Sequence, residues 1–396
     1  MTNGRPCAIC GGHRKRLLFQ QRFSVLSEGS LMDGYEVVIC QDCGFCFADN
    51  IPKQSAFNDY YRKMSKYEHQ DRSGQPSEFE THQFPALAQF IQQHISDQHA
   101  RILEIGCANG GLLNALKQLG YTSVLGIDPS PICARNAEQL YQIRVLTGSL
   151  SDVRMEIGSF DLIILVAVLE HIQDLDDSLR KLHDLLSPTG KLYIEVPDAT
   201  KFESSLDAPF QEFSTEHINF FSPLSLANIM GTHDFTKVSS ARTSYDQTDT
   251  HTGFAIRMMF QKSNMNSKFD LARDYETEAE LTKYIEASQN VESRIHKIVN
   301  ELVDRQQAII IWGVGTHTQR LLATSRLINA KIVAYTDSNP NYQDKLLNSI
   351  PIINPERLTD MNEPILISSR IFQNEIVHQI RSELKLKNEI FTLYED

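Results

Sequence analysis

The sequence predicts an α/β protein in three parts: a small cysteine-bearing ribbon, a parallel sheet covered by helices on both faces, and a second, smaller βαβ unit. Three observations carry that prediction. Two C-x-x-C pairs stand near the start of the chain. Apolar runs then alternate with amphipathic stretches through its middle. Finally, an apolar run entering a glycine turn, followed by a second run that ends in an aspartate, occurs twice.

The first part extends over residues 1–80. Cys7-Ala-Ile-Cys10 and Cys40-Gln-Asp-Cys43 each present two thiols on a tight turn, and four thiolates together close a tetrahedral zinc site with no open position. The zinc is therefore expected to be structural. The long gap from residue 11 to 39, with the strand-like Tyr35–Ile39 before the second knuckle, predicts a ribbon with extended hairpins. Cys46 reads as a spare thiol. A redox role for the knuckles is the competing reading, and the absence of a thioredoxin-like βα context counts against it.

The second part covers residues 81–262. Arg101–Ile105, Val124–Ile127, Arg144–Leu146, Leu162–Val166 and Lys191–Val196 read as strands, with helical patterns such as Gly111–Leu119 and Asp176–Leu186 between them. Ser187-Pro-Thr-Gly190 predicts a turn. Within Leu103-Glu-Ile-Gly-Cys-Ala-Asn-Gly110, Gly106 and Gly110 let the backbone turn sharply beside a ligand. Ala108 stands where a middle glycine often lies. Glu104 precedes the turn, and Asp128 is placed to accept hydrogen bonds from ribose hydroxyls. A structural βα turn without a ligand is the alternative.

Residues 263–306 form a helical linker. Apolar side chains recur at three and four from Leu281 to Val303, predicting a helix over 267–306 that packs as a strut. The last part, 307–396, opens with Ala308–Trp312 and a Gly313-x-Gly315 turn, then the strand Lys331–Tyr335 ahead of Asp337. Thr318 occupies the third-glycine position, so the dinucleotide fingerprint is incomplete. A structural domain, one contacting a nucleotide sugar, and an NAD site all remain open there.

Composition narrows the classes of function. The chain has 396 residues, 41% hydrophobic and 22% charged, with a formal net charge of -12; its mean hydropathy is -0.30. No long basic run favours nucleic acid, no apolar run is long enough to span a bilayer, and the polar, cysteine-bearing start is unlike a secretory signal. A cytoplasmic protein with no membrane or nucleic-acid partner, monomeric or homodimeric, is expected.

The Glu104-x-Gly106-x-x-x-Gly110 turn resembles the S-adenosylmethionine (SAM) site of class I methyltransferases. With the zinc knuckles before it, the second βαβ unit after it, and Val168-Leu-Glu-His-Ile172 and Glu216-His-Ile-Asn-Phe-Phe-Ser222 between, the whole chain resembles the nucleotide-sugar C-methyltransferases. Those enzymes methylate the carbon next to the ketone of a dTDP-keto-deoxysugar. The resemblance implies a class I Rossmann-like SAM core with an N-terminal zinc ribbon and a C-terminal Rossmann-like domain. It implies SAM as cofactor and a nucleotide sugar held in a groove between the central and flanking domains.

The resemblance also implies that His217 is the base, and an imidazole titrating near neutral pH suits the proton beside a ketone. Glu216 would orient His217 or bind a sugar hydroxyl; read alone, such a pair is more often a structural loop anchor. Tyr60-Tyr61-Arg-Lys-Met-Ser-Lys-Tyr67 resembles a segment of saccharide-modifying methyltransferases, in which Tyr67 would cover the methionine end of SAM or serve as an aromatic staple. Ser149 and Leu150 follow the third strand, where adenine contacts lie in this fold. His171 follows the fourth, as a ligand contact or a cap. Arg257 is a candidate phosphate partner. Two departures stand out: Ser214 replaces a tyrosine, and His251-Thr-Gly-Phe-Ala-Ile-Arg257 replaces a His-Gly-Gly-Ser-type run. They open O- or N-methylation of a sugar or other small acceptor as the alternative chemistry. An NAD-linked oxidoreductase and a zinc-ribbon adaptor are the readings from other classes.

Overall fold

The computed structural model describes residues 4–68, 73–152, 157–248, 251–263 and 269–394. In chain order the first elements are strands β1 (Lys15–Arg22), β2 (Gly34–Cys40) and β3 (Cys46–Asp49) and helices α1 (Gln54–Met64) and α2 (Glu78–Gln92). The central elements are β4 (Arg101–Ile105), α3 (Gly111–Gln118), β5 (Ser123–Asp128), α4 (Pro131–Tyr141), β6 (Val145–Thr147), β7 (Phe160–Val166), α5 (Leu175–Leu185) and β8 (Leu186–Pro197). They continue with β9 (Asn219–Phe220), α6 (Pro223–Gly231), β10 (Phe235–Thr248) and β11 (His251–Lys262). After the long helix α7 (Glu276–Asp304) come β12 (Ala308–Trp312), α8 (Thr316–Thr324), β13 (Lys331–Thr336), β14 (Leu346–Leu347), β15 (Ile350–Ile353), β16 (Ile365–Ile367), α9 (Gln373–His378) and β17 (Ile390–Thr392). Among the described residues, no helix is long and apolar enough to cross a membrane.

The central sheet has seven strands in the order β10-β11-β8-β7-β4-β5-β6. From β8 to β6 its pairings are parallel, while β11 joins β8 and β10 joins β11 antiparallel. The alternating sequence predicts the parallel part. It misses the hairpin, because β10 is largely exposed and carries no apolar alternation. Ser187–Gly190, read as a turn, falls inside β8: the register jumps from Leu186 opposite Phe160 to Lys191 opposite Leu162, so these residues bulge out of the ladder. Helix α7 begins at Glu276, and residues 269–275 are not helical. Residues 267 and 268 of the predicted helix lie outside the described set.

The N-terminal sheet is antiparallel, in the order β1-β2-β3-β9. Its last strand comes from the central part of the sequence, so the ribbon does not end at residue 80. Phe23, Tyr35, Val37 and Ile39 share one core with Phe202, Phe210, Phe213, Ile218 and Phe220, and with Leu281 and Tyr284 of α7. Arg5 fastens the seam: its guanidinium donates to Ala48 O at 2.9 Å, to Ile218 O at 2.7 Å and to Asn219 Oδ1 at 2.8 Å.

The C-terminal sheet runs β14-β15-β13-β12-β16-β17, parallel throughout except at β14. From β15 onward this is a doubly wound order, with its switch point between β12 and β16. A buried arginine locks this unit to the rest. Arg320 on α8 pairs with Glu292 of α7 at 2.7 Å, hydrogen-bonds Gln21 of β1, and lies 4.0 Å from the ring centroid of Phe210. Asp207 on the same loop as Phe210 pairs with Arg370 at 2.9 Å.

Candidate active site

The glycine turn after β4 is held by the acid at the end of β5. Asp128 is buried, accepting the backbone N–H of Ala108 at 2.9 Å on one oxygen and that of Ser130 at 2.8 Å on the other. Each oxygen keeps a second lone pair for a further donor. Gly106, Ala108 and Gly110 all adopt left-handed backbone, with φ of 70°, 46° and 78°. A Cβ on Gly106 would lie 2.6 Å from Val168 Cγ2, so only glycine fits that corner. Gly110 caps α3, and Ala108 accepts the left-handed conformation at a cost of about 1 kcal/mol.

Beneath the turn, Glu104 is buried and its Oε2 has no hydrogen-bond partner among the described residues. Burial, and then the charge of Asp128, push the Glu104 carboxyl up to about 8; burial pushes Asp128 up to about 6. At neutral pH Asp128 is thus the charged acid of the pair, while Glu104 holds its proton until a cation arrives to favour its ionised form.

A cavity opens above these residues. Tyr67, Gly106, Asp128, Ser149, Leu150 and His171 all line it, so the structure brings these expected contacts together. Glu104, Ala108 and Gly110 stand behind its wall. Ile105, Leu150 and Ile172 supply apolar surface, while Gln54, Asn58, Tyr61 and Ser65 line it from α1 and the residue that follows. The α1 residues were missed in sequence; the Tyr60-Tyr61 pair was their only signal. Tyr67 is half-exposed, and its carbonyl accepts Asn109 Nδ2–H at 2.7 Å, tying the aromatic segment to the glycine turn.

On the far side of the cavity two imidazoles meet. The rings of His171 and His217 have centroids 5.0 Å apart. His171 donates its Nδ1–H to Glu216 O at 2.9 Å, which fixes its tautomer and leaves Nε2 as the basic nitrogen. The backbone brackets the pair: Ile218 N–H donates to Glu170 O at 3.0 Å, and Asn219 Nδ2 donates to Leu169 O and Ile172 O. Ser214 Oγ accepts the N–H of both Glu216 and His217 at 3.2 Å. The serine at the expected tyrosine position thus shapes the turn that carries His217.

Glu216 accepts the Tyr60 hydroxyl at 3.1 Å. Two carboxylates flank the imidazoles: Glu212 Oε2 lies 3.7 Å from His217 Nδ1, and Glu170 Oε1 lies 3.7 Å from His171 Nε2. Sequence reasoning missed Glu212, whose spacing from His217 matches no motif. Arg257, expected to face a phosphate, instead donates from Nε to buried Glu195 at 2.6 Å, and Glu195 also receives the Tyr193 hydroxyl at 2.8 Å. Removing that carboxylate's partner would strand a buried charge, so Arg257 is held in a structural pair.

The four expected cysteines converge at the other end of the N-terminal sheet. Cys7 and Cys43 sulfurs lie 3.4 Å apart, Cys10 and Cys40 3.5 Å apart, and all four fall within 4.8 Å of one another. Tetrahedral zinc with Zn–S of about 2.3 Å needs sulfur separations of about 3.8 Å, so the set fits such an ion. Gly11 and Gly44 supply the left-handed step of each knuckle, donating back to Cys7 O and Cys40 O. Cys46 is buried outside this set.

With this geometry in view, similarity to known proteins gives the class. Residues 79–240 match the family described as "Methyltransferase domain", and the chain carries such a domain there. Residues 305–391 match the family described as "C2185-like, N-terminal". The ubiquinone biosynthesis O-methyltransferase of Xanthomonas axonopodis pv. citri is 28% identical over 157 residues, covering 36% of this chain and 65% of that protein. The mitochondrial ubiquinone biosynthesis O-methyltransferase of Bos taurus is 31% identical over 121 residues, covering 28% of this chain and 32% of its own length. The chain thus spans between a third and about two thirds of these relatives.

Two solved structures are also similar. Magnesium protoporphyrin IX methyltransferase from Synechocystis with bound SAH is 16% identical with a TM-score of 0.43, covering 53% of this chain and 100% of that one. The 1,6-didemethyltoxoflavin-N1-methyltransferase of Burkholderia thailandensis is 19% identical with a TM-score of 0.41, covering 57% and 98%.

Proposed function

We propose that this chain is a SAM-dependent methyltransferase acting on a nucleotide-activated keto-deoxysugar, methylating the carbon next to the ketone. The observation that carries the reading is the imidazole pair: His171 lines the cavity above the glycine turn, and the ring of His217 packs against it. The methyltransferase-domain match supports the SAM half of the reading. The resemblance of the whole chain to nucleotide-sugar C-methyltransferases supports the acceptor half.

The residues present fit SAM. The orphaned Glu104 oxygen and Asp128 would face its cationic and hydroxyl groups, Ser149 and Leu150 its base, and Tyr67 its sulfonium end. When bound, SAM would supply an electrophilic methyl group to the acceptor carbon, with S-adenosylhomocysteine as the leaving group. His217 takes the proton from that carbon, and Glu212 beside its Nδ1 stabilises the imidazolium that results. His171 is positioned by Glu216 O, and its Nε2 lies 3.7 Å from Glu170 Oε1. The apolar wall of Ile105, Leu150 and Ile172 excludes water from the reacting atoms. Zinc on Cys7, Cys10, Cys40 and Cys43 would stabilise the sheet that holds β9, and so the loop carrying His217.

A second reading, O- or N-methylation of a small acceptor, is favoured by the names of the curated relatives, which are O-methyltransferases. In that case His217 would deprotonate a hydroxyl or amine. Labelled SAM incubated with dTDP-, GDP- and CDP-linked sugars, with and without a 4-keto group, separates the two. Label fixed on a carbon beside the ketone supports the proposal. Label only on oxygen or nitrogen, or on none of these sugars, removes it.

A further inference from the structure

The turn that carries His171 holds a carboxylate to which the proposed methyl transfer gives no task. Glu170 and His171 close the single helical turn Leu169–His171 between β7 and α5. Glu170 is buried, with 2% of its surface exposed. Its Oε1 lies 3.7 Å from His171 Nε2. One oxygen of Glu170, one ring nitrogen of His171 and one of His217 all fall within 4.8 Å of one another. Among the described residues, three or more ligand-type side chains converge in two places, here and at the four cysteines.

The surroundings hold these donors as a metal ion needs them. His171 Nδ1–H donates to Glu216 O at 2.9 Å, so the nitrogen beside Glu170 carries the lone pair. An outer hydrogen bond of that kind is what orients a metal-bound imidazole. Glu212 Oε2, 3.7 Å from His217 Nδ1, stands in the same relation to the second ring. The segments bearing the three donors are tied together: Ile218 N–H donates to Glu170 O at 3.0 Å, and Asn219 Nδ2 donates to Leu169 O at 3.1 Å. Donors bonded to one ion at about 2.1 Å stand about 3.0–3.4 Å apart, so closing the trio takes about 1–2 Å of side-chain movement.

We propose that Glu170, His171 and His217 form a second metal site, apart from the cysteine cluster, for a borderline divalent cation such as Zn2+ or Co2+. Two imidazoles and one carboxylate suit such ions; Mg2+ and Ca2+ take oxygen ligands instead. Three protein ligands leave a coordination position open, and His171 lines the cavity, so an ion here is reached from it. The site stands on geometry and not on the proposed reaction. It bears on that reaction because an imidazole bonded to an ion through one nitrogen keeps its proton on the other. A metal-bound His217 is therefore no base, and an occupied site holds C-methylation off.

The test uses cobalt as the probe and the full-length protein with its cysteine cluster first filled with zinc. Co2+ is titrated while bound metal and the visible spectrum are followed. One further equivalent is expected, with d–d bands but without the thiolate-to-cobalt charge transfer of a cysteine site. Glu170→Gln and His217→Ala are each expected to weaken that equivalent by at least about 100-fold, with the melting temperature of the His217 variant unchanged. No further equivalent, one with a thiolate spectrum, or equal binding by both variants would overturn the site and leave His217 as the base. Methyl transfer from SAM to a dTDP-linked 4-keto-deoxysugar is expected to fall in step with cobalt occupancy. Unchanged transfer by cobalt-loaded protein would overturn His217 as the base and leave the metal site standing.

Discussion

The chain builds the same turn twice and uses it differently. After β4, Asp128 accepts the N–H of Ala108 in the glycine turn and of Ser130 in its own loop. After β12, Asp337 does the same for Val314 at 3.0 Å and Asn339 at 2.9 Å. In each, an aspartate ending the second strand pins the glycine turn of the first. Beyond that the two diverge. Above the first turn lies a cavity with an orphaned acid beneath it. The second crevice is filled by the protein itself: Tyr394 hydrogen-bonds His317 at 2.6 Å, and Thr318 bonds both Gly313 O and Ser368. Burial pushes His317 down to about 4, so it sits there as a neutral packing group. The glycine turn therefore specifies a βαβ corner, and the side chains around it decide whether a ligand has room.

The sharpest test of the comparison is at the imidazole pair, which has no counterpart in the second unit. His217→Ala is expected to lower turnover by about 10²- to 10⁴-fold with SAM affinity unchanged, measured by single-turnover kinetics and calorimetry. Normal turnover would eliminate it as the base. Next come the paired aspartates. Asp128→Ala should weaken SAM binding by at least about tenfold, through lost donors and a loosened turn, whereas Asp337→Ala should lower only the melting temperature. Equal SAM affinity in the Asp128 variant would remove the ribose placement.

Glu104 gives a smaller, pH-dependent effect. Its folded value of about 8 lies above the ordinary 4.5, so the folded state holds its proton more tightly than the unfolded chain. Stability from this group is present below pH 4.5 and is lost as pH rises toward 8. Glu104→Gln should therefore raise the ligand-free stability at pH 8, by up to about 4 kcal/mol, flatten its decline with pH, and weaken SAM binding. An unchanged pH profile in thermal melts would contradict the assignment. Smallest of all is Ala108→Gly, where relief of the left-handed strain is offset by glycine's greater chain entropy. The expected change is within about 1 kcal/mol by denaturant titration.

Much of this was legible in sequence for a physical reason. Local spacing encodes local geometry, so Gly106, Gly110 and Asp128 announce a turn, and Cys7, Cys10, Cys40 and Cys43 announce two knuckles. Continuous apolar runs marked the parallel strands because both faces of that sheet are covered. What escaped were contacts made by distant segments. Glu212 beside His217 and Tyr61 from α1 depend on how elements pack, and no periodicity records that. The hairpin of β10 and β11 was hidden by its exposed, polar outer strand. Arg257 looked like a free cation because Glu195, its partner, is distant in sequence.

The strand that follows His217 has a consequence for how this protein could have been assembled. Asn219 and Phe220 pair with Phe47 and Cys46, so the sheet built by the first fifty residues is completed from within the methyltransferase domain. A fragment cut to residues 79–240 would carry the glycine turn and His217 together. It would lose the edge against which the base loop is clamped. Residues 79–240 are therefore not a portable cassette: gene fusion or shuffling at those boundaries would separate the His217 loop from the strand it is clamped to. The ribbon and the transferase domain must travel as one inherited unit.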